Sequence, residues 1–549
     1  MAGAYLAPRG ASAAERALSW AGWLAAAVAT LVALGLGVAA LLPGVGFWDT
    51  GEFQTVTTVL GTAHPTGFPA YVILGWLATI VLQPLGEPAF RINLLSAILV
   101  ALAAGSVAIL VRWLTGRAWL GLAAGLLLAT APTAWSLATH ADAHTLHLAL
   151  LGLLLCLLVG WEERRRSAAP HADRWLVAAT ATYGVALANH TLALLFAPGI
   201  GLFVLAVEPR ILLRPRFVAG CVALLVGVTG ALYLELPIRA AMHAPLVYAR
   251  PDTLAGFQYV VLAEQFRGSL QDPFRDPAGS LRMIVAALGG EYGPLLPLLP
   301  LGFLATAWWR PRFALLTAPT FVITCWFAAS YVNAEIDRYY LGPVLIGLAW
   351  IAVLVGGLLG LVEDLVWPRP AGRPGRSAVD RLRLWPLEIA AAALLLAPTA
   401  SVLGTRYLQV NERNDTAAAD WLGATLDRLP HNAVVISWWS YSTPLWYGQL
   451  VEGLRPDIWI VDDRTRLDEH LGEVSDVVDA QLGHRPVFLI RPANELAGLA
   501  QRYRLSYVDT YPGLEELVQV TGRLASASSG AATGASTGAA TGAFTSARP

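Results

Sequence analysis

A mainly α-helical, polytopic membrane protein that ends in a smaller α/β unit is the fold class this sequence predicts. Three observations carry that expectation. Hydrophobic residues fill 56% of the 549 positions, charged residues only 14%, and mean hydropathy is +0.56; a soluble chain of this size needs far more charge to cover its surface. Apolar runs of bilayer-crossing length recur up to about residue 404, with arginines clustered between them. Beyond that point short β-branched runs alternate with helical periods.

The runs lie near 17–42, 91–114, 118–138, 145–161, 175–190, 191–208, 217–236, 283–308, 313–331, 340–362 and 386–404. The first is too long for a signal-peptide core and lacks a cleavage site, so it reads as a retained anchor. The pair spanning 175–208 is split by Asn189-His190, which fits two tight spans or one re-entrant segment. The run 68–85 is apolar but bracketed by Pro69 and Pro84. Arginine placement decides how to treat it. Arg9 and Arg16, Arg112 and Arg117, Arg164 to Arg166 with Arg174, Arg210 to Arg216, Arg310 and Arg312, and Arg369 to Arg383 all fall on one side if 68–85 does not cross. The positive-inside rule makes that side cytoplasmic. The expectation is therefore eleven spans in a membrane domain 17–404, a cytoplasmic N-terminus 1–16, an interfacial helix at 68–85, and outer loops at 43–90 and 237–282.

An outer, extracytoplasmic α/β domain follows at 405–521. Four short strands are expected around Val434–Ile436, Ile458–Val461, Pro486–Ile490 and Leu505–Val508. Helical patterns near 414–428, 444–452, 467–483 and 493–502 alternate with them, which suggests a largely parallel sheet. From 522 to 549 the chain is Ala/Ser/Thr/Gly-rich, too poor in apolar side chains to pack, and is expected to be disordered.

Composition also excludes. With a net charge of −1 no basic face for nucleic acid can be assembled. All 37 basic residues are arginine. Cys156, Cys221 and Cys325 each sit in an apolar run, against a disulfide framework. No Walker loop, HExxH or CxxC pair is present.

The polar chemistry gathers in the outer loops. Asp49 and Glu52 follow the first run at the spacing of a capping box, in which case they merely start a helix. Flanked by Phe47 and Trp48 at the membrane interface, they also sit where a charge tends to be functional, and a helix N-terminus favours an ionised base. His64-Pro65-Thr66-Gly67-Phe68-Pro69 makes a rigid turn whose histidine can donate to a lipid phosphate. His140, Asp142, His144 and His147 fall around the next outer loop; Asp142 and His144 with an outer Glu suit a divalent metal, although the spacing matches no strong metal motif. Asn189-His190 is polar within an apolar stretch, where helix packing is the alternative role. Arg239, Arg267, Arg275 and Arg338 lie outside, against the charge rule, and an arginine there is a natural phosphate partner.

Together these residues resemble a known family. Trp48-Asp49-Thr50-Gly51-Glu52-Phe53 is similar to the opening D-x-G-E motif of the GT-C-fold glycosyltransferases of the transmembrane-protein-260 type, protein O-mannosyltransferases with many bacterial relatives. The 64–69 turn resembles their HPPG-type turn, with Thr66 in place of the second proline. Tyr233 to Arg239 resembles a leucine-proline-arginine loop, with Glu235 as a departure, and Asp337 to Leu341 a late outer-loop motif. Pro444 to Tyr447 and Val451 to Asp457 are similar to the signature of the C-terminal domain.

The resemblance implies transfer of a sugar, with mannose the first expectation, from a polyprenyl-phosphate donor to a hydroxyl acceptor such as Ser/Thr of exported proteins or a glycan, with inversion. Asp49 would deprotonate or orient the acceptor, with Glu52 positioning it or acting as the base itself. Arg239 and Arg338, with His64, would hold the leaving phosphate, and Asp142, His144, Asn189 and His190 would complete the substrate site. No cofactor is implied and no metal is required. A site shared by Asp49 and Arg239 needs them within about 15 Å of each other. The rival reading, a transporter or lipid flippase, predicts repeated halves that the sequence does not display.

Overall fold

The computed structural model describes residues 13–332, 335–366 and 378–524. The expected tail beyond 524, the first twelve residues and the arginines between 367 and 377 lie outside the described residues.

All eleven expected runs are helical, but they are not alike. Among the described residues, seven helices are long and apolar enough to cross a membrane: Leu18–Ala39, Pro88–Thr115, His144–Arg166, Pro215–Ala241, Pro311–Ala329, Ile336–Val366 and Trp385–Val410. An eighth candidate, Pro277–Leu295 with Leu298–Trp309, is bent by 84°. The remaining three runs are shorter. The expected span 118–138 breaks into Ala118–Ala129 and Pro132–Leu137; its 12-residue part rises about 18 Å, against about 30 Å of hydrocarbon. The 175–208 pair is split where the polar residues predict. Asp173–Asn189 stops, His190 is extended at φ −154°, and a tight 3-10 turn Thr191–Phe196 leads into Ala197–Val207.

The inner faces of Pro88–Thr115, Ala118–Ala129, His144–Arg166 and Ile336–Val366 form one large apolar core. Outward faces stay bare and apolar, as at Val226, Leu365 and Leu394, the pattern of a surface solvated by lipid tails rather than water.

Helix α1 (Ala13–Ala39) is followed by α2 (Trp48–Val59) and α3 (Pro69–Val81). α3, on the stretch expected to be interfacial, buries Tyr71 and Val72 and leaves Leu77, Ile80 and Val81 bare. The loop entering α2 is fixed by two amides. Gln54 Oε1 accepts from Gly46 N, and its Nε2 donates to Asn93 Oδ1 at 2.8 Å. Asn93 in turn donates to Leu42 O and Gly44 O, and accepts from Ala141 N at 3.0 Å. One fully buried asparagine thus ties two loops together with every polar atom satisfied.

The α/β unit holds five strands: β1 (Val434–Ser437), β2 (Trp459–Val461), β3 (Val487–Ile490), β4 (Tyr503–Val508) and β5 (Leu517–Arg523), in the order β2-β1-β3-β5-β4. β1 pairs in parallel with β2 and β3, while β5 runs antiparallel to both β3 and β4. The expected largely parallel sheet is therefore mixed. β5 escapes the sequence reading because it abuts the low-complexity tail, and the domain ends beyond the expected residue 521. The two apolar faces of the sheet are covered separately, by Trp421, Leu422 and Leu445 on one side and by Val477, Val478 and Leu496 on the other.

This unit sits on α2 and on the neighbouring ends of the membrane helices. Helix Trp439–Leu450, directly after β1, packs on α2. The contact is close enough to require Gly51: a Cβ there would lie 2.4 Å from Gly46 O and 2.9 Å from Thr443 Oγ1. Tyr447 Oη accepts from Ala89 N at 3.1 Å, Glu412 N donates to Ala40 O at 2.9 Å, and His140 pairs with the Glu412 carboxylate at 3.2 Å.

Candidate active site

α2 starts abruptly. Its N-cap, Phe47, makes no side-chain cap bond, and Trp48 adopts φ +57°, a conformation costing a bulky residue on the order of 1–3 kcal/mol. The Trp48 ring is held edge-on against Trp438 at 5.2 Å. The capping box expected of Asp49 and Glu52 is not formed, because both side chains are engaged elsewhere.

Asp49 grips two groups from distant parts of the chain. Its Oδ2 accepts from Arg338 Nη2 at 3.0 Å and its Oδ1 from Trp439 Nε1 at 3.2 Å. The same guanidinium donates through Nη1 to Asp142 Oδ2 at 3.1 Å, and Glu335 lies 3.5 Å away. Asp142 Oδ1 accepts from the backbone N–H of His144 at 2.6 Å and meets its ring Nδ1 at 2.9 Å. Asp49, Asp142, His144 and Arg338, separated by nearly three hundred residues, thus form one connected network. The cation between Asp142 and the outer Glu335 is a guanidinium, in the place where the sequence allowed a metal.

Glu52 faces the other way. One carboxylate oxygen accepts from His64 N at 2.7 Å and the other makes a very short contact with His64 Nδ1. Phe53, Phe68 and Trp439 enclose the imidazole. Glu52 is 1% exposed, whereas Asp49 keeps 22% of its side chain open.

Charges follow from these contacts. Burial pushes the Asp49 carboxyl up, but His64, Arg338 and the Trp439 N–H outweigh burial and the neighbouring Asp142, and hold it below the ordinary carboxylate value. Asp142, likewise opposed by burial, is held far down by His144 and Arg338. Burial raises Glu52, and His64 only partly offsets it. For His64 burial works against the charge, yet Glu52 and Asp49 prevail and raise it. Asp49 is therefore the partly open carboxylate whose charge is favoured, and Glu52 is the buried one, paired with His64.

Donor atoms of Asp49, Glu52 and His64 lie within 4.8 Å of one another, a carboxylate-imidazole set that suits several divalent ions. In the structure these donors are turned to Arg338, Trp439 and each other.

Other expected site residues have different places. Arg239 donates to Leu60 O at 2.6 Å and Val59 O at 3.3 Å, so it caps the C-terminal end of α2. Eleven residues of helix separate that end from Asp49, about 16 Å of rise. Arg239, expected in one shared site with Asp49, is thus engaged at the opposite end of α2. Asn189 donates to Ala143 O at 3.0 Å, and His190 Nδ1 accepts from Leu192 N at 2.9 Å. Both brace the backbone, while the His190 ring lies 4.9 Å from that of His144 and 5.7 Å from that of Tyr339. His144 Nε2, both ring nitrogens of His147 and Asn189 Oδ1 are buried with no hydrogen-bond partner among the described residues, a concentration of unmet polar atoms beside Arg338 that a polar substrate or water would satisfy.

Sequence reasoning missed Trp439 and Asn93. A signal for the first existed: Ser437-Trp438-Trp439 follows a predicted strand, and the carboxyl ends of parallel strands are where α/β sheets place functional groups. Asn93 lies inside an apolar run with nothing to mark it.

Residues 49–211 match the family model of the protein O-mannosyl-transferase TMEM260 N-terminal domain. Protein O-mannosyl-transferase TMEM260 of Mus musculus is 27% identical over 455 residues, 77% of this chain and 59% of that protein. The Dictyostelium discoideum protein of that name is 20% identical over 453 residues, 76% and 54% of the two chains. The chain thus spans somewhat over half the length of these curated relatives. The fold is similar to that of ArnT from Cupriavidus metallidurans. The crystal structure of ArnT bound to undecaprenyl phosphate matches at 17% identity and TM-score 0.57, covering 91% of this chain and 98% of ArnT. The apo form matches at 16% identity and TM-score 0.59, with 91% and 97% covered. The GT-C-like fold and the resemblance to TMEM260-type proteins expected from the motifs are both met.

Proposed function

We propose that this chain, GT-C-like in fold and similar to the TMEM260-type protein O-mannosyl-transferases, is an integral-membrane glycosyltransferase. It moves a sugar, mannose in the first instance, from a polyprenyl-phosphate carrier to a Ser/Thr hydroxyl of an exported protein. The observation that carries this reading is Asp49, an ionised and partly open carboxylate held by Arg338 and Trp439 on the face where two outer loops and the α/β domain meet.

The acceptor hydroxyl attacks the anomeric carbon from the face opposite the phosphate. The new C–O bond forms as the bond from that carbon to the phosphate oxygen breaks, so the configuration inverts and polyprenyl phosphate leaves. Asp49 takes the hydroxyl proton: each carboxylate oxygen has one bond already and a lone pair to spare, and a group of this kind contributes about 10²–10⁴-fold as a general base. Arg338 stands beside the charge that develops on the departing phosphate and offsets it. Glu52 and His64 hold the floor of the site, with His64 the nearest further donor to phosphate. Asp142 and His144 orient Arg338, and Asn189 and His190 shape the wall behind it. Arg239 is assigned to fixing α2. A lipid phosphate is already a good leaving group, so the scheme uses no metal; a divalent ion at Asp49, Glu52 and His64 is the alternative to test by chelation.

The basic clusters support an N-terminus in the cytoplasm and the α/β domain on the outer face of a bacterial plasma membrane. The partners are the lipid donor, the exported acceptor and the bilayer, with no nucleic acid. Glycoproteomics of exported proteins in a deletion strain tests the reading. Loss of hexose from a defined set of proteins is expected; unchanged hexose on proteins, glycolipids and polymers alike contradicts it.

A further inference from the structure

Between the membrane domain and the α/β domain lies a cavity of about 90 Å³ that the chemistry above leaves unused. Glu52 and Thr62 form one wall, Leu246 to Tyr248 of the long outer loop a second, and Trp446 with Asp462 to Glu469 a third. At about 10–15 Å³ per water position it holds roughly six to nine waters, space for a side chain and its flanking peptide. It opens at the carboxyl end of β2, where Asp462 is 1% exposed and its Oδ1 accepts from Thr465 N at 2.7 Å and Thr465 Oγ1 at 2.6 Å. It also adjoins the site. The rings of Trp446 and Tyr248 lie 5.7 and 6.0 Å from that of Trp439, whose N–H holds Asp49.

The charge of the lining is one-sided. Arg464 and Asp468 neutralise each other, through a 2.8 Å bond and a second, shorter one. Asp468 Oδ2 also takes Ala249 N at 3.0 Å, and the guanidinium lies 5.0 Å from the Tyr248 ring and 4.8 Å from the Tyr259 ring. That pair is a strut between the two domains. Glu52 is matched by His64. Burial raises the Asp462 carboxyl against its Thr465 bonds, and the exposed Glu469 is left as the charge without an ion-pair partner among the described residues. Such a lining repels a phosphate and attracts a cation.

We infer that this cavity is the acceptor subsite, taking a hydroxyl-bearing polypeptide segment with basic flanking residues, while the donor phosphate is held at Arg338. The inference rests on the transferase reading for the word acceptor, but its test does not. Asp49 holds Arg338 while Glu52, whose donor atoms lie within 4.8 Å of those of Asp49, lines the cavity, so the anion side and the cation side meet at the N-terminal end of α2. The flanking arginine or lysine of the acceptor reaches Glu469 at the mouth, and its Ser/Thr passes Glu52 and Trp439 toward Asp49.

The experiment is equilibrium binding of two fluorescent Thr peptides, one Lys-flanked and one Glu-flanked, to the purified full chain in nanodiscs at low salt. The Lys peptide is expected to bind at least about tenfold tighter, a difference typical of one well-placed charge contact. Glu469→Lys should reduce that preference to about threefold or less, and Glu516→Lys, an exposed control outside the lining, should leave it intact. Val247→Trp, which fills the cavity from a half-buried loop position, should abolish binding of both peptides. Equal affinities in the wild type, no saturable binding of either peptide, or a preference unmoved by Glu469→Lys would overturn the inference. Sugar transfer is read separately. Binding that follows this pattern without any transfer sinks the transferase reading and leaves the cavity a peptide site; transfer to peptides without the charge preference does the reverse.

Discussion

At its N-terminal end α2 offers two carboxylates that leave the helix to bind Arg338, Trp439 and His64; at its C-terminal end it receives Arg239 on its last carbonyls. The second arrangement is what helix physics prescribes, since a cation there satisfies orphan C=O groups and the macrodipole. The first is not. Trp48 is left at positive φ, no side chain caps the helix, and of the two acids Asp49 is turned toward a partner more than 280 residues away and Glu52 toward His64. Local rules kept at one end and broken at the other separate the end that supports from the end that works.

The comparison can be broken by substitution. Asp49→Asn keeps size and the Trp439 contact but removes the base; transfer is expected to fall about a thousandfold or more, with melting temperature little changed. Arg338→Gln leaves Asp49 and Asp142 facing each other without a cation, an uncompensated buried charge worth about 3–5 kcal/mol. Thermal unfolding in detergent should record that loss, and the double variant with Asp142→Asn should recover part of it. If the two losses simply add, the network is not coupled as described.

Arg239→Gln tests the supporting end. It should cost about 1 kcal/mol of stability and leave the donor KM within about threefold. A large rise in that KM, with stability preserved, would return Arg239 to the phosphate site and blur the distinction between the two ends.

The smallest effect concerns the His140–Glu412 pair that links the two domains. Burial works against charge on His140, but Glu412, Asp142 and Glu335 outweigh it and raise its pKa from 6.5 to about 9. A value raised on folding means the folded chain binds the proton more tightly. The contribution is therefore complete below pH 6.5 and is lost as pH rises through about 9. The stability difference between wild type and His140→Gln should be largest near pH 6, about 1 kcal/mol, and vanish at pH 10. A difference independent of pH would mean that the pair carries no charge.

Much of the membrane domain was legible because hydropathy is a long-range average: every apolar run is helical, and the break at Asn189-His190 falls where two polar residues interrupt it. The number of full crossings was less legible. Length alone does not foretell that 118–138 breaks after Ala129 or that 283–308 bends by 84°. In the site, Asp49, Asp142, His144 and Arg338 were visible as polar residues with no solvating task, but their mutual contacts depend on how the outer loops fold back. Arg239 was misplaced because a motif fixes sequence position and not which end of α2 the side chain reaches. Trp439 and Asn93 act across 390 and 39 residues respectively, and no local pattern announces such a contact. β5 was hidden by the low-complexity run that follows it.

The central claim is that Asp49 is the base of a sugar transfer from a polyprenyl-phosphate donor. Its most direct test is single-turnover transfer from radiolabelled polyprenyl-phosphate mannose to a Lys-flanked Thr peptide, by wild type and Asp49→Asn purified in nanodiscs, with Glu516→Lys as a surface control. The account predicts transfer by wild type and control, with the product anomer inverted relative to the donor. It also predicts donor binding retained and transfer lost in Asp49→Asn. An Asp49→Asn protein that still transfers within tenfold of the wild-type rate would contradict it.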